Sequence, residues 1–472
     1  DKDGRYSIRV PEKAILLFRF MGFKDAEVNA TDKKNVDVLM ETAESHLDEV
    51  IVVGYGTQKK INLSGAVDQI GEKFLESRPI TNVGTALQGA MANLNITPTS
   101  GRANSSPGIN VRGYTSLSGG GPLIVIDGVP ATNDELNRMN PMDIASVTVL
   151  KDAASAAIYG SRAAFGVVLV TTKSGTTKDI KVTANSIFGA KAITRTVEIE
   201  DDPYQVMKYR NIMSAPWYNL YDEKMLEYGK QLSENPSLPR VIVDPQNPNA
   251  YIYLGSTDWF KEVHKDIQPS YTNNISIAQK NERSSYYLSG EYYRQNGMLR
   301  ISPDTYDRYN FRAKGDYKIT DWFTLSNNTT FTNDKYDQPS AIDQGYLYWH
   351  NVNRQPSLIT VYNPDGTYTE AGVNMIGAVA EGGRSISRNN DFQSSFGAKI
   401  DFIKNVWTLN GDATFRRISG KSHFFQLPLA YSTGPNVMNK QNFNSYASNG
   451  SSETRYNVYN IYSQYQRTLQ DH

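Results

Sequence analysis

The sequence has no cysteine among its 472 residues. Disulfide staples, thiolate metal sites and cysteine nucleophiles are therefore excluded, and the redox compartment stays undetermined. It also lacks any apolar run of about 18 residues, so no helical membrane span is expected. Charge of one sign is not in excess: 49 Lys and Arg stand against 49 Asp and Glu, which gives no electrostatic case for nucleic acid. The five histidines (His46, His264, His350, His423 and His472) show no metal-ligand spacing and read as loop or surface residues. Asp1 and Asp3 resemble the start of a calcium loop, but Tyr6 occupies the position where the turn needs glycine, so calcium is rejected. HExxH, a Walker A loop and a GxSxG elbow are absent. No metal, cofactor or enzymatic activity is expected.

Aromatic residues and two-residue alternation are plentiful. There are 30 Tyr, 17 Phe and 5 Trp. Arg308 to Tyr317 alternates Tyr309, Phe311, Ala313, Gly315 and Tyr317 on one face with Arg308, Asn310, Arg312, Lys314 and Asp316 on the other. Phe392 to Phe402 and Trp407 to Arg416 follow the same rule, and further strands are expected over 181–193, 271–279, 284–294, 322–333 and 456–467. A strand of ~9–11 residues with one apolar face can cross a membrane as part of a barrel. Mean hydropathy, here −0.51, does not argue against this, because alternation averages it down. The charged second face is expected to line water. Long insertions at 194–249 and 334–390 alternate with tight turns, as in a barrel with long loops at one end.

Upstream, Tyr6, Ile8 and Val10, then Leu16, Phe18 and Phe20, then Val36 and Val38 keep the period of half-buried strands. Asp48 to Gly54, DEVIVVG, is a β-branched segment between a charged linker and a Gly-Tyr-Gly turn. Such a segment can add as a strand to a partner's sheet edge, or it can be an ordinary edge strand.

Two longer stretches carry more information. VRGYTSLSGGGPLIVIDGVP, ending at Pro130, places two short strands around a glycine-rich loop and closes on the turn Asp127-Gly128. LNRMNPMDIASVTVLKDAASAAIYGSRAAFGVVLVTTKSG, from Leu136 to Gly175, starts a helical turn at Pro141 and continues into a strand over Ile144 to Leu150. A small-residue helical turn over Ala153 to Tyr159 then ends at Gly160, and a strand follows over Val167 to Thr172. Together these stretches resemble the plug domain of the SusC/RagA family, TonB-dependent outer-membrane transporters of the Bacteroidetes. Two local departures stand out: Ala163-Ala164-Phe165-Gly166 where the family usually has Gly-Ala-Asn-Gly, and Ile124 where it usually has Tyr.

The resemblance implies a mainly β protein, with an α+β plug domain inside a transmembrane antiparallel β-barrel and part of a β-sandwich domain before it. It implies the end of a carboxypeptidase-regulatory-like β-domain over 1–40, a linker with a TonB box over 41–59, a plug over 60–176 and the first part of the barrel over 177–472. Roughly eight strands are expected here, against about 22 in a family barrel. The start at Asp1 without an initiator Met is read as part of a longer precursor. The TonB box is expected at Asp48, Glu49, Val50, Ile51, Val52, Val53 and Gly54. The expected partners are TonB with its ExbB/ExbD motor, a SusD-like surface lipoprotein, and an oligosaccharide or oligopeptide substrate. The expected location is the outer membrane and the expected function active import; a surface receptor that senses without transporting is the alternative. Arg102, Tyr114 and Ser116 are the plug residues expected to touch substrate, with packing of plug against barrel wall as the competing role.

Overall fold

The computed structural model describes the chain except residues 1–7, 9, 12–13, 19–25, 30–35, 40–49, 54–55, 60–66, 77–81, 103–104, 114–119, 153–155, 195–197, 216, 344–349, 405 and 467–472. Near the N-terminus, β1 (Ile15–Phe18) pairs antiparallel with β2 (Ala26–Asn29). A second two-stranded ribbon follows, β3 (Val50–Val53) against β4 (Gly56–Lys59), in the register Val50↔Lys59 to Val53↔Gly56.

The plug is built on a five-stranded sheet. Its strands are β5 (Val67–Gly71), β8 (Leu123–Ile126), β9 (Val129–Ala131), β10 (Ile144–Leu150) and β11 (Val167–Thr172). A separate hairpin pairs β6 (Leu94–Thr97) with β7 (Gly108–Val111). The sheet order is β5-β10-β11-β8-β9, with β11 and β8 parallel. β8 (Leu-Ile-Val-Ile) and Val167 to Val170 of β11 read as continuous Val/Ile/Leu runs because both faces are covered. On one face Val147, Val149, Val168 and Val170 pack with Leu75 of α1 (Glu72–Glu76), Val83 of α2 (Val83–Ala86) and Leu136 of α3 (Asn133–Arg138). On the other, Leu123, Val125, Val167 and Leu169 pack with Leu150, Ala156 and Ala163. Ile124, the departure from the family's usual Tyr, is buried in the first of these clusters.

The two short strands that flank the glycine-rich stretch belong to different sheets: Gly108–Val111 pairs with Leu94–Thr97, and Leu123–Ile126 pairs with Val167–Val170. The small-residue helical turn ends at Gly160, as the sequence suggests: its φ of 63° and ψ of −152° are not helical, and a second helical turn follows up to Ala163. Glycine supplies that positive φ at no steric cost.

Eight strands then form one antiparallel meander. The first is β12 (Lys181–Ala192). The loop insertion after it contains α4 (Pro203–Ser214), α5 (Glu223–Glu234), the hairpin β13 (Val241–Asp244) and β14 (Asn247–Tyr253), and α6 (Trp259–Val263). The sheet continues through β15 (Ile267–Lys280), β16 (Ser284–Asn296), β17 (Thr305–Lys318), β18 (Phe323–Pro339), β19 (Arg384–Ile403) and β20 (Trp407–Gln426). A loop hairpin, β21 (Ala430–Gly434) with β22 (Val437–Lys440), precedes the last strand, β23 (Tyr446–Tyr465). The short β15–β16, β17–β18 and β19–β20 connections gather at one end, and the long insertions gather at the other.

Strands β19, β20 and β23 each have 20 residues, about twice the length needed to cross a bilayer. The sequence shows only the part that alternates between lipid and lumen. Ser419 to His423 and Ser448 to Arg455 carry no large apolar residue on either face, so their strand character comes from pairing rather than from pattern. Exposed Phe188, Phe311, Phe331, Phe392, Phe396 and Phe415 form the outward apolar band. Trp322, Phe402, Trp407 and Tyr465 ring the short-turn end, as in an interfacial girdle.

Candidate functional site: the plug–wall interface and the loop-side cavity

Arg308, Asn310, Arg312 and Lys314 face inward from β17, as alternation requires, but the first three are buried against the plug rather than lining water. The plug supplies their partners. Asp127, in the β8–β9 turn, takes positive φ at 45°, as does Gly128 at 84°, the geometry Asp-Gly adopts between paired strands. This turn projects the Asp127 carboxylate to the wall, where it accepts a hydrogen bond from Asn328 Nδ2 (2.7 Å) and lies 3.4 Å from Lys314 Nζ and 3.6 Å from Arg312. Thr172 N–H donates to it at 3.0 Å, tying β11 to the same point. Burial pushes the Asp127 carboxyl up, but Lys314, Arg312 and the Thr172 contacts outweigh it and hold it below the usual carboxylate value.

Asp143 extends the contact. Pro141 and the Asn140 side-chain cap set the short turn that carries it. Its carboxylate lies 3.4 Å from Arg312 Nε and accepts from Tyr287 Oη at 3.0 Å. Asn140 also donates to Asn274 on β15 at 2.9 Å. Above this, α3 ends with its carbonyls toward the wall: Arg308 Nη1 donates to Asn137 O and Asn310 Nδ2 to Arg138 O, both at 3.1 Å. Arg308 is held by Glu291 through two hydrogen bonds, with side-chain exposures of 2% and 0%. Further along, Arg416 bridges plug Glu135 (2.9 Å) and wall Asp391. The plug thus seats in the barrel through buried ion pairs and hydrogen bonds, which are costly to leave half-made.

The sequence exposed the wall half of this interface as an alternating charged face. The plug half was hidden, because Asp127 and Asp143 read as turn residues. The signal available was the pairing rule itself: buried charges on an inward face demand opposite charges from whatever fills the lumen.

At the long-loop end, a cavity of about 530 Å³ lies between the plug loop 98–107 and the wall. Arg102 lines it, and its Nη2 donates to the carbonyl of Ile342 at 2.8 Å. The structure therefore brings Arg102 to the plug–wall seam. Tyr114 and Ser116 lie outside the described residues, as do Asp48, Glu49 and Gly54; Val50–Val53 form the strand β3. His264, read from sequence as a loop or surface residue, is buried at 5% exposure. It ends α6, its Nδ1 lies 2.9 Å from Phe260 O, and its ring stacks on Phe260 at 4.0 Å. Burial pushes its imidazole below the ordinary value despite the Phe260 carbonyl.

At the opposite end, Lys173 bridges Glu72 (2.7 Å) and Glu76 (2.8 Å) beside a cavity of about 560 Å³ that the first wall strand also lines. Burial lowers the Lys173 ammonium, but the two carboxylates more than reverse this.

A plug of this topology, seated by its turn carboxylates in an antiparallel wall with one long-looped and one short-turned end, defines a TonB-dependent outer-membrane receptor. The sequence model for the TonB-dependent receptor plug domain matches residues 59–167. The chain belongs to the SusC/RagA family of these receptors. TonB-dependent receptor P26 of Formosa agariphila is 34% identical over 376 residues, covering 78% of this chain and 34% of that protein. TonB-dependent receptor SusC of Bacteroides thetaiotaomicron is 28% identical over 400 residues, covering 78% of this chain and 36% of that protein. The solved RagAB peptide transporter superposes with a TM-score of 0.63 at 25% identity, covering 79% of this chain and 43% of that one. The chain spans about a third of the length of the curated relatives it matches. The family is one of transport proteins of the outer membrane.

Proposed function

We propose that this chain is the plug-bearing portion of an importer that takes an oligomeric nutrient, an oligosaccharide or oligopeptide, across the outer membrane. A SusD-like surface lipoprotein would deliver the substrate at the long-loop end. TonB, driven by ExbB/ExbD, would engage Asp48 to Gly54 and pull on the plug. The observation that carries this reading is the plug–wall interface: a plug seated through buried ion pairs and hydrogen bonds can be displaced by external work and can reseat afterwards. Passive equilibrium cannot concentrate a solute, so substrate binding and release must be separated by an energy input.

In this reading residues 1–40 are the end of a regulatory β-domain, 41–59 a linker, 60–176 the plug and 177–472 the barrel start. The solved relative RagAB is a peptide importer, which favours oligopeptide among the two substrate classes. Arg102, Tyr114 and Ser116 would meet substrate on the plug's outer surface. The test is deletion of Asp48 to Gly54 in the intact protein. Surface binding of substrate should persist while uptake stops; uptake at the normal rate would defeat the importer reading and leave a surface sensor in its place.

A further inference from the structure

The cavity at the long-loop end is uneven in its chemistry. Arg102 and Lys191 line it, and no Asp or Glu is among the described residues that do. Gln295 stands on its wall at 2% exposure, and the amide Nε2 of that side chain has no hydrogen-bond partner. Its Oε1 accepts a hydrogen bond from Tyr293 Oη at 2.6 Å, and Nε2 is the end of the amide left without a partner. A buried donor without an acceptor is costly, so a site that leaves one unmet is suited to a ligand that supplies it. Arg102 uses Nη2 on the Ile342 carbonyl, and a guanidinium has further donors in the same plane.

The frame around these donors is fixed. Met298 packs against Gly101, where a Cβ would come within 2.9 Å of its methyl. Lys265 N donates to Met298 O and Arg300 N to Val263 O, at 2.9 and 2.8 Å, tying the 297–304 loop to α6. Phe260 and His264 add a flat stacked wall.

We propose that this cavity binds an anionic group, a carboxylate or sulfate carried by the oligomeric substrate, through Arg102 and Gln295. The inference rests on the importer reading for its substrate but not for its geometry. A surplus of donors with no lining carboxylate selects an acceptor-rich anion, and planar guanidinium matches planar carboxylate. The same chemistry is offered by the C-terminus of a peptide and by an acidic or sulfated sugar.

The test measures binding to the intact protein in outer-membrane vesicles with three matched probe pairs. These are an N-acetylated oligoalanine with a free C-terminus against its C-terminal amide, oligogalacturonate against its methyl ester, and a sulfated galactan oligosaccharide against its desulfated form. At least one anionic probe should bind more tightly than its neutral twin, and the pair that does so names the source. Arg102→Ala should weaken that probe on the order of tenfold or more, Arg102→Lys should restore part of the loss, and Gln295→Leu should cost about three- to tenfold, with the neutral twin unmoved. Because Arg102→Ala also frees Ile342 O, hydrogen exchange across 94–111 checks that the loop keeps its place; Gln295→Leu keeps the side-chain volume. Binding of neutral twins equally well, failure of every anionic probe, or indifference to both Arg102→Ala and Gln295→Leu would overturn the proposal. Uptake that survives deletion of Asp48 to Gly54 would defeat the importer reading while leaving an Arg102-dependent anion site standing.

Discussion

The Asp143 carboxylate of the plug lies 3.4 Å from the Arg312 guanidinium of the wall, with side-chain exposures of 4% and 7%. Neither charge has water to fall back on while the plug is seated. Removing one partner of such a pair costs ~3–5 kcal/mol when the other stays buried. When the plug is withdrawn, both sides are hydrated and much of that penalty disappears. Per ion pair, orphaning one partner in place therefore costs more than separating both partners into water.

Asp127→Asn tests this directly. The variant keeps the shape of the turn and the Asn328 and Thr172 neighbours, but it loses the charge facing Lys314 and Arg312. Arg312 retains Asp143, so the expected loss is about 1–3 kcal/mol rather than the full cost of an orphaned charge. A fluorophore on Ser161→Cys, unique in a chain without cysteine, reports plug release in urea. A lower midpoint with an unchanged barrel transition is expected; an unchanged plug midpoint would mean that the Asp127 contacts do not anchor the plug.

The same carboxyl sets a pH dependence. In the folded protein Asp127 lies below its ordinary value of 3.8. A carboxyl lowered on folding contributes stability that is complete above the unfolded value and is lost as pH falls through the folded value. The urea midpoint should therefore hold level, as far as this group is concerned, from neutral pH down to about pH 4, and fall below it. Asp127→Asn, already weaker at neutral pH, should show a smaller further fall. An equal acid-induced drop in both proteins would assign the effect to other carboxylates.

Much of this architecture can be read from the residues. Alternation over Arg308 to Tyr317 gave the faces of β17 correctly, and the turn at Asp127-Gly128 is where the pattern puts it. What could not be read was which inward charges meet water. Lys314 and Arg312 look alike in sequence, yet their surroundings depend on a plug turn nearly two hundred residues away, and nothing local encodes that contact. The cavity was hidden for the same reason: Gln295 and Gln268 are unremarkable polar positions on alternating strands until the loop around Arg102 closes over them.

Gly175, at the exit from the plug, has a role that its place in the Lys-Ser-Gly run does not explain by itself. A Cβ there would run into the backbone carbonyl of Gln279, at the end of β15, where Thr177 O also receives Lys280 N at 2.7 Å and Gly175 O accepts from Ser285 Oγ at 3.3 Å. Backbone cannot yield as a side chain can, so Gly175→Ala should cost about 1–3 kcal/mol. Hydrogen exchange should rise at the 175–181 segment and the β12–β15 pairing next to it. A comparison substitution, Gly128→Ala, has open space for its Cβ and pays only for a left-handed φ of 84°, so it should perturb the Asp127 turn and not this seam. Gly175→Ala behaving like wild type in both respects would show that the exit segment can shift away from β15 freely.

The ribbon of Val50–Val53 and Gly56–Lys59 bears on how TonB would engage the proposed box. Only these two strands belong to it among the described residues, so each has an outer edge. The edges differ: Val-Ile-Val-Val is uniformly β-forming and carries no charge or proline, whereas Gly-Thr-Gln-Lys contains the glycine and lysine that discourage pairing. A two-stranded ribbon is marginal alone and gains from a third strand, so a partner strand should add along Val50–Val53 with the ribbon still paired. Val52→Cys with Thr57→Cys places cysteines at opposed positions of the register, and none of the 472 residues is a competing cysteine. Oxidised, the locked protein should capture the periplasmic domain of TonB at least as well as the reduced form, whereas Val52→Pro should abolish capture by removing a strand donor. Capture lost on oxidation and recovered on reduction would show instead that Gly56–Lys59 must leave before TonB can pair. Capture unaffected even by deletion of Asp48 to Gly54 would place the handle elsewhere in the chain.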